Sequence, residues 1–226
     1  MNPILKRTLA GLTVGAAVVA AILVVPAGWF PPVCWVLTVL ALMEVVQLTR
    51  LKAAERIRSG GGTLRVWAVG ALLGVLVIAM FRTIPGIAFW HGNVMLLYIL
   101  AIVKFSDVGG FAFGMSSAKL LKGGNHKLCP TISPGKSWEG LFGSVVFSSA
   151  VSCAFMPWTR FGFGKALAFG VAAALVGTLG DLVESKFKRW VGVKDSSTMK
   201  ITAGMGGFLD MFDSLLFAPA LLARFI

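Results

Sequence analysis

The sequence has few charged side chains and few of the residues that build metal or redox sites in soluble proteins. Only 13% of its 226 residues are charged and 57% are hydrophobic, whereas a soluble domain is about 25% charged and about 45–50% apolar. Cys34, Cys129 and Cys153 form no CxxC pair and the two histidines are far apart, so zinc and iron–sulfur sites have no support. With a mean hydropathy of +0.86, this composition predicts an all-α, polytopic integral membrane protein.

Long apolar runs divide the chain into about seven predicted transmembrane helices. Roughly 20 apolar residues cross the hydrocarbon core of a bilayer. On that length, the predicted spans are 8–25, 32–48, 66–81, 93–116, 140–157, 166–183 and 204–223. Residues 1–92 then hold the N-terminal spans, and residues 93–226 form a C-terminal region that carries the chemistry, within a single membrane domain.

The cationic residues are distributed unevenly between the two ends of these spans. Sixteen of the 21 lysines and arginines precede span one or lie between spans two and three, four and five, and six and seven. The opposite ends carry only Arg82, Arg160, Lys165 and Arg224, while Lys104 lies within span four. Since cytoplasmic segments carry the excess of Lys and Arg, the N-terminus is predicted to be cytoplasmic. The net charge of +12 then indicates contact with anionic lipids rather than nucleic acid.

Four aspartates are predicted near the cytoplasmic ends of three spans: Asp107, Asp181, Asp210 and Asp213. Ionisable residues within spans usually face the bundle interior and mark functional sites; the alternative is that they only pair with lysines and hold helices together. Asp210 and Asp213 share a helix face, behind glycines 206 and 207 that let a phosphate or a backbone come close. Because Mg²⁺ prefers oxygen ligands, Asp181, Asp210 and Asp213 are the predicted metal ligands.

A basic segment, SKFKRWVGVKDSSTMK, covers residues 185–200 and is predicted to be a loop. Lys188, Arg189 and Lys194 offer point charges and bidentate donors to phosphate oxygens, and Asp195 follows directly. Such a loop beside a membrane also serves as a headgroup anchor. Its position next to a predicted carboxylate cluster favours phosphate recognition.

Two further stretches present polar residues near the same end. HKLCPTISPGKSWEG, residues 126–140, is predicted to be an irregular loop that displays Ser133, Lys136 and Glu139, the alternative being an ordinary loop with an interfacial tryptophan. KFSDVGGFAFG, residues 104–114, places glycines around Asp107, and the alternative there is a small-residue helix interface.

Taken together, these stretches resemble the phosphatidate cytidylyltransferases, the CDP-diacylglycerol synthases, over roughly residues 100–217. The family signature runs S-x-apolar-K-R-x4-K-D, then H-G-G and D-R-apolar-D. It is matched by Ser185, Phe187, Lys188, Arg189, Lys194, Asp195, Gly206, Gly207, Asp210 and Asp213. DVGGFAFG and ISPGKSWEG are similar to two other family stretches. The signature histidine and arginine are replaced by Met205 and Met211, which carry no charge and donate no hydrogen bond.

The resemblance implies a Mg²⁺-dependent enzyme that makes CDP-diacylglycerol and pyrophosphate from CTP and phosphatidate, with a second metal ion as an open question. The implied catalytic residues are Lys188, Arg189, Lys194 and Asp195. The implied substrate-binding residues are Asp107, Ser133, Lys136, Glu139, Ser185, Gly206 and Gly207. It also suggests a homodimer in a bacterial inner membrane, in contact with membrane lipids, with the active site facing the cytoplasm.

Three alternatives stay open. A CTP-using lipid kinase would need similar acidic and basic parts but would make a lipid phosphate and CDP. A non-catalytic relative, serving as a partner or lipid-binding subunit, would explain Met205 and Met211. An ion-coupled transporter would use buried acids, although inverted repeats of broken helices are not apparent in the sequence.

Overall fold

The computed structural model describes residues 15–121, 124–193, 209 and 212–226, and most of them are helical. Helix α1 is described over Gly15–Val24 and is followed by a short 3-10 turn, Ala27–Trp29. The remaining helices are α2 Phe30–Arg58, α3 Leu64–His91, α4 Asn93–Leu120, α5 Trp138–Ala154, α6 Met156–Thr159, α7 Phe163–Val191 and α8 Ala218–Leu222. A hairpin of strands β1 Lys127–Cys129 and β2 Ser133–Ser137 precedes α5, and a 3-10 turn, Asp213–Leu215, precedes α8.

Four helices are long and apolar enough to cross a bilayer: α2 with its preceding turn, α3, α4 and α7. Helix α5 has 17 residues and packs between α4 and α7. These helices confirm the prediction of a polytopic helical membrane protein, and α4 shows that span four is one continuous helix. The count of seven spans and the cytoplasmic N-terminus stay predictions.

The basic segment after span six is not a loop throughout, as the sequence had predicted. Helix α7 continues through Lys188 and Arg189 to Val191. Glu184 and Lys188 form an i,i+4 ion pair of 2.7 Å that supports this last turn. The helix ends where Gly192 adopts a left-handed conformation with φ of 92°, which a glycine adopts without a side-chain clash.

The loop predicted for residues 126–140 is instead an antiparallel hairpin. Lys127 lies opposite Ser137 and Cys129 lies opposite Ser133, with an irregular register between the two pairs. Ser137 then caps α5, because its hydroxyl oxygen accepts the Gly140 amide at 3.1 Å. The hairpin therefore leads directly into the first turn of α5.

The closing stretch is not one membrane-length helix over its described part. It contains only the 3-10 turn Asp213–Leu215 and the five-residue α8. Pro219 lies in the first turn of α8, where its missing N–H does no harm, whereas the middle of a longer helix would lose a hydrogen bond there. Residues 204–208, 210 and 211 lie outside the described residues, so the shared face of Asp210 and Asp213 stays a prediction.

Small residues bring α4 and α5 into backbone contact. A Cβ at Gly109 would collide with the Gly143 carbonyl oxygen, and a Cβ at Gly143 would collide with that of Gly109. Deeper along α5, the Ser148 hydroxyl donates to the Ile102 carbonyl at 2.9 Å, so this buried polar group is satisfied across the interface. The small-residue alternative for residues 104–114 thus holds for part of the stretch, and it places Asp107 beside the hairpin.

Candidate active site

A cavity of about 220 Å³ lies where α4, α5, α7 and the hairpin meet. Among the described residues, its charged lining consists of Asp107 from α4, Lys136 from β2 and Asp181 from α7. Three of the residues predicted from sequence are therefore brought together. Typical ligand pockets measure about 300–1,000 Å³, so the described residues enclose room for part of a nucleotide or a lipid headgroup.

Lys136 and Asp181 form the central ion pair of this cavity. The lysine Nζ donates to Asp181 Oδ2, and the two side chains are 25% and 18% exposed. Asp181 Oδ1 is buried, and no partner for it occurs in the part of the chain that the structure describes. A buried carboxylate oxygen without a donor is costly, so this atom is available to a cation or to a donor on a ligand.

Two glycines of α7 allow the closing segment to lie against the helix beside Asp181. A Cβ at Gly180 would collide with the Asp213 carbonyl oxygen, and a Cβ at Gly177 would lie 3.6 Å from that of Ser214. The Asp213–Ser214 backbone is thereby held against Gly180, the residue directly before Asp181 in sequence. The negative charge of Asp181 acts on both Asp107 and Asp213, so carboxylates from three separate elements share one local field.

Sequence reasoning missed Lys104 and Ser214, which connect these acids. Lys104 Nζ donates to Ser214 Oγ at 2.8 Å and lies 3.5 Å from Asp107 Oδ2. Ser214, fully buried, donates its own hydroxyl to Asp107 Oδ2 at 2.9 Å. The available signal was the lysine inside span four, since a charge at that depth is itself a site candidate.

A third missed residue, Glu44, reaches the closing segment from α2. Its side chain is 1% exposed, and its Oε2 accepts the Leu209 amide at 2.7 Å. Leu209 directly precedes Asp210, a predicted metal ligand. A single glutamate within an apolar span was the available signal, because a buried carboxylate in a membrane helix needs a partner.

The other predicted residues that the structure describes do not line this cavity. Ser133 lies on β2, Ser185 and Arg189 lie on α7, and Lys188 pairs with the fully buried Glu184. Lys194, Asp195, Gly206, Gly207 and Asp210 lie outside the described residues. The roles assigned to all of them stay predictions.

Glu139 fixes the hairpin to the start of α5. Its Oε1 lies 2.7 Å from His126 Nδ1, and the His126 amide donates to both carboxylate oxygens at 3.1 and 3.2 Å. Glu139 precedes the predicted span 140–157, and the His126 side chain is the main cause that lowers its pKa to about 2. The contacts of Glu139 are thus directed at the backbone and side chain of His126, the residue before β1, rather than at the cavity.

The donor atoms of this site are chemically suited to a divalent metal ion. Within residues 15–121, 124–193, 209 and 212–226, no group of three or more His, Cys, Asp or Glu side chains is close enough to hold an ion by itself. Mg²⁺, however, keeps several waters and needs only one or two carboxylates together with substrate phosphates. Asp181 Oδ1, without a partner in the described part of the chain, is a suitable oxygen for that kind of site.

Fold and site thus define a helical membrane protein with carboxylates and lysines gathered at one end of its bundle. Residues 58–226 match the model of the Cytidylyltransferase family, and the chain belongs to this family. It is 43% identical over 129 residues to a phosphatidate cytidylyltransferase of Staphylococcus aureus, covering 56% of this chain and 46% of that protein. The phosphatidate cytidylyltransferase of Haemophilus influenzae is 39% identical over 132 residues, covering 56% and 43%. The match therefore spans less than half the length of these relatives, and it confirms the family predicted from the sequence motifs.

Proposed function

We propose that this chain is a phosphatidate cytidylyltransferase, which transfers CMP from CTP to phosphatidate and releases pyrophosphate. The observation that carries the proposal is the cavity lined by Asp107, Lys136 and Asp181 in a member of the Cytidylyltransferase family. The curated relatives with this name support the choice of reaction. The excess of cations at the same end of the bundle supports a site that faces the cytoplasm of a bacterial inner membrane.

The reaction joins two polyanions, and the lysines of the site address that difficulty. A phosphatidate oxygen forms a bond to the α-phosphorus of CTP, while the bond from that phosphorus to the bridging oxygen breaks and its electron pair leaves with pyrophosphate. The attacking oxygen is already anionic near neutral pH, so no strong general base is needed. Catalysis then depends on positioning and on stabilising charge. Lys136 supplies a cation inside the cavity, and Lys188, Arg189 and Lys194 are assigned to the remaining phosphate oxygens, with Asp195 orienting them.

Asp181, Asp210 and Asp213 would hold Mg²⁺ in this scheme. Asp181 Oδ1, which has no partner among the described residues, supports this assignment. A divalent ion at this position would neutralise phosphate charge and polarise the reacting phosphoryl group. Lys136 is the partner of Asp181 Oδ2 and keeps that carboxylate directed into the cavity.

The cavity lining suits a lipid phosphate as one of the two substrates. Beside its charged groups it contains the apolar side chains of Phe111, Leu128 and Leu141. Phe111 is 69% exposed on a helix that is long and apolar enough to lie within a bilayer. A phosphatidate can therefore keep its acyl chains in the membrane while its phosphate enters the cavity.

Purified protein in detergent micelles with phosphatidate and labelled CTP tests the proposal. Label on the α-phosphate should enter the lipid and pyrophosphate should appear, whereas label on the γ-phosphate entering the lipid would instead show a kinase. Asp181→Asn and Lys136→Met should each lower turnover by roughly 10²-fold or more, as expected when a charge-stabilising group is lost. Lys127→Met is a matched control, because Lys127 is an exposed lysine on the neighbouring strand.

Met205 and Met211 favour one second candidate, a lipid-binding relative without catalytic activity. In that case wild-type protein transfers neither label, and the combined change Met205→His and Met211→Arg creates transfer. Activity in the wild-type protein excludes this candidate directly.

A further inference from the structure

Lys104 lies next to the proposed site but has no role in the proposed reaction. It lies on α4, a helix long and apolar enough to cross a bilayer, one turn before Asp107. Its Nζ donates to the buried Ser214 hydroxyl at 2.8 Å and lies 3.5 Å from the Asp107 carboxylate. Placing an ammonium group in such a helix is unfavourable without anionic or polar partners, so these contacts explain how the charge is accommodated.

Ser214 connects Lys104 and Asp107 of α4 to the closing segment of the chain. Its hydroxyl has one proton, which it donates to Asp107 Oδ2, so its oxygen is left to accept from Lys104. Its amide donates to Asp213 Oδ1 at 2.7 Å. Lys104, Asp107 and the Asp213–Ser214 turn therefore form one connected polar network across 110 residues of sequence.

The charge of Lys104 also affects a carboxylate other than Asp107, the acid that it contacts. It acts favourably on both Asp107 and Asp213, while the charge of Asp181 acts unfavourably on both. A cation in this place offsets the repulsion among the three carboxylates. It also competes with any metal ion that would use Asp107.

We propose that Lys104 is a built-in counter-ion of this carboxylate cluster, a positioning residue that joins Asp107 to the Asp213–Ser214 turn and takes the place of a second bound cation. Asp107 then serves to hold the closing segment rather than to bind metal. The link to catalysis rests on the proposed cytidylyl transfer, but the counter-ion role is independent of it.

Metal affinity tests the counter-ion role without any activity measurement. Mn²⁺ titration of the substrate-free protein, followed by electron paramagnetic resonance, should show affinity at least roughly tenfold higher in Lys104→Ala than in wild type, because a competing charge within a few ångströms is removed. Lys104→Arg should stay near wild type. Lys165→Ala is the matched control. Lys165 lies in the first turn of α7 and contacts the Phe161 ring, and no acid pairs with it among the described residues. Unchanged or weaker Mn²⁺ binding in Lys104→Ala would overturn the proposal.

Chemical rescue tests the positioning role. Lys104→Ala should lower CMP transfer by roughly 10–100-fold, the usual effect of losing a partner of a metal-binding group. Added methylammonium or ethylammonium should restore several-fold of that loss, and should not restore Asp181→Asn. If Lys104→Ala still shows the tighter Mn²⁺ site but is not rescued, the positioning role is refuted. If the wild-type protein transfers no CMP, only the proposed function is refuted. If Lys104→Ala does not fold, Lys104→Gln keeps a donor to Ser214 without the charge and should show the same tighter Mn²⁺ binding.

Discussion

Gly180→Ala should separate the closing segment from α7, whereas Gly177→Ala, one turn earlier, should not. A Cβ at Gly180 would collide with the Asp213 carbonyl oxygen, which belongs to backbone and has little freedom to move. A Cβ at Gly177 would meet the Ser106 Oγ and Val103 Cγ1 atoms at 3.5 Å, an ordinary contact distance. Both changes gain about 0.5–1 kcal/mol of helix propensity, and this gain cancels when the two variants are compared.

The difference between the two variants then measures the collision, which should cost about 1–3 kcal/mol as overpacking. A difference of about 2 kcal/mol corresponds to roughly 4–8 °C in Tm for a soluble protein of this size. Thermal unfolding in detergent and CMP transfer to phosphatidate are the measurements. Gly180→Ala should fall in both, whereas Gly177→Ala should keep the wild-type turnover and have a Tm equal to or slightly above that of wild type. Equal Tm and equal turnover in the two variants would refute the placement of Asp213 against α7.

Two further substitutions test contacts that support the site. Gly143→Ala should destabilise the protein by about 1–3 kcal/mol, because the new methyl group meets the Gly109 carbonyl and the Phe113 side chain. Gly86→Ala is the control, since its methyl group meets no atom of the described residues within 4 Å. Equal unfolding temperatures of the two variants would contradict this prediction. Glu44→Leu should cost about 1–3 kcal/mol and lower turnover, because the Leu209 amide loses its acceptor, while Glu44→Gln keeps an acceptor oxygen and should lose less. Parallel unfolding and activity measurements decide, and equal effects of Leu and Gln would count against a positioning hydrogen bond.

The sequence was sufficient to predict the membrane class and much of the site. Hydropathy alone indicates the long helices, because each must satisfy its backbone within the bilayer. Asp107, Lys136 and Asp181 were predicted as site residues from separate motifs, and they line one cavity. Motif residues could be found in this way because their chemistry is unusual against an apolar background.

Helix boundaries and partners were less predictable. Helix α7 runs past the apolar residues to Val191, since a salt-bridged amphipathic turn is helical without being hydrophobic. The predicted loop at residues 126–140 pairs with itself as a hairpin, which depends on backbone register rather than on composition. Lys104 and Glu44 were passed over because their partners, Ser214 and Leu209, lie more than 100 residues away. Only the folded chain shows which charged residue of a helix meets which closing residue.

Several carboxylates at this end of the bundle are paired with lysines, and this pairing affects how a metal ion would bind. Asp107 contacts Lys104, Asp181 contacts Lys136, and Glu184 contacts Lys188. The local charge is therefore partly balanced before any substrate binds, so a polyanionic triphosphate should enter most favourably with its own divalent ion. We expect the rate of CMP transfer to follow the concentration of the Mg²⁺–CTP complex, and EDTA to abolish it. Varying free Mg²⁺ at a fixed concentration of the complex is the decisive measurement. A rate that rises and saturates with free Mg²⁺ would show instead that the protein binds the ion first.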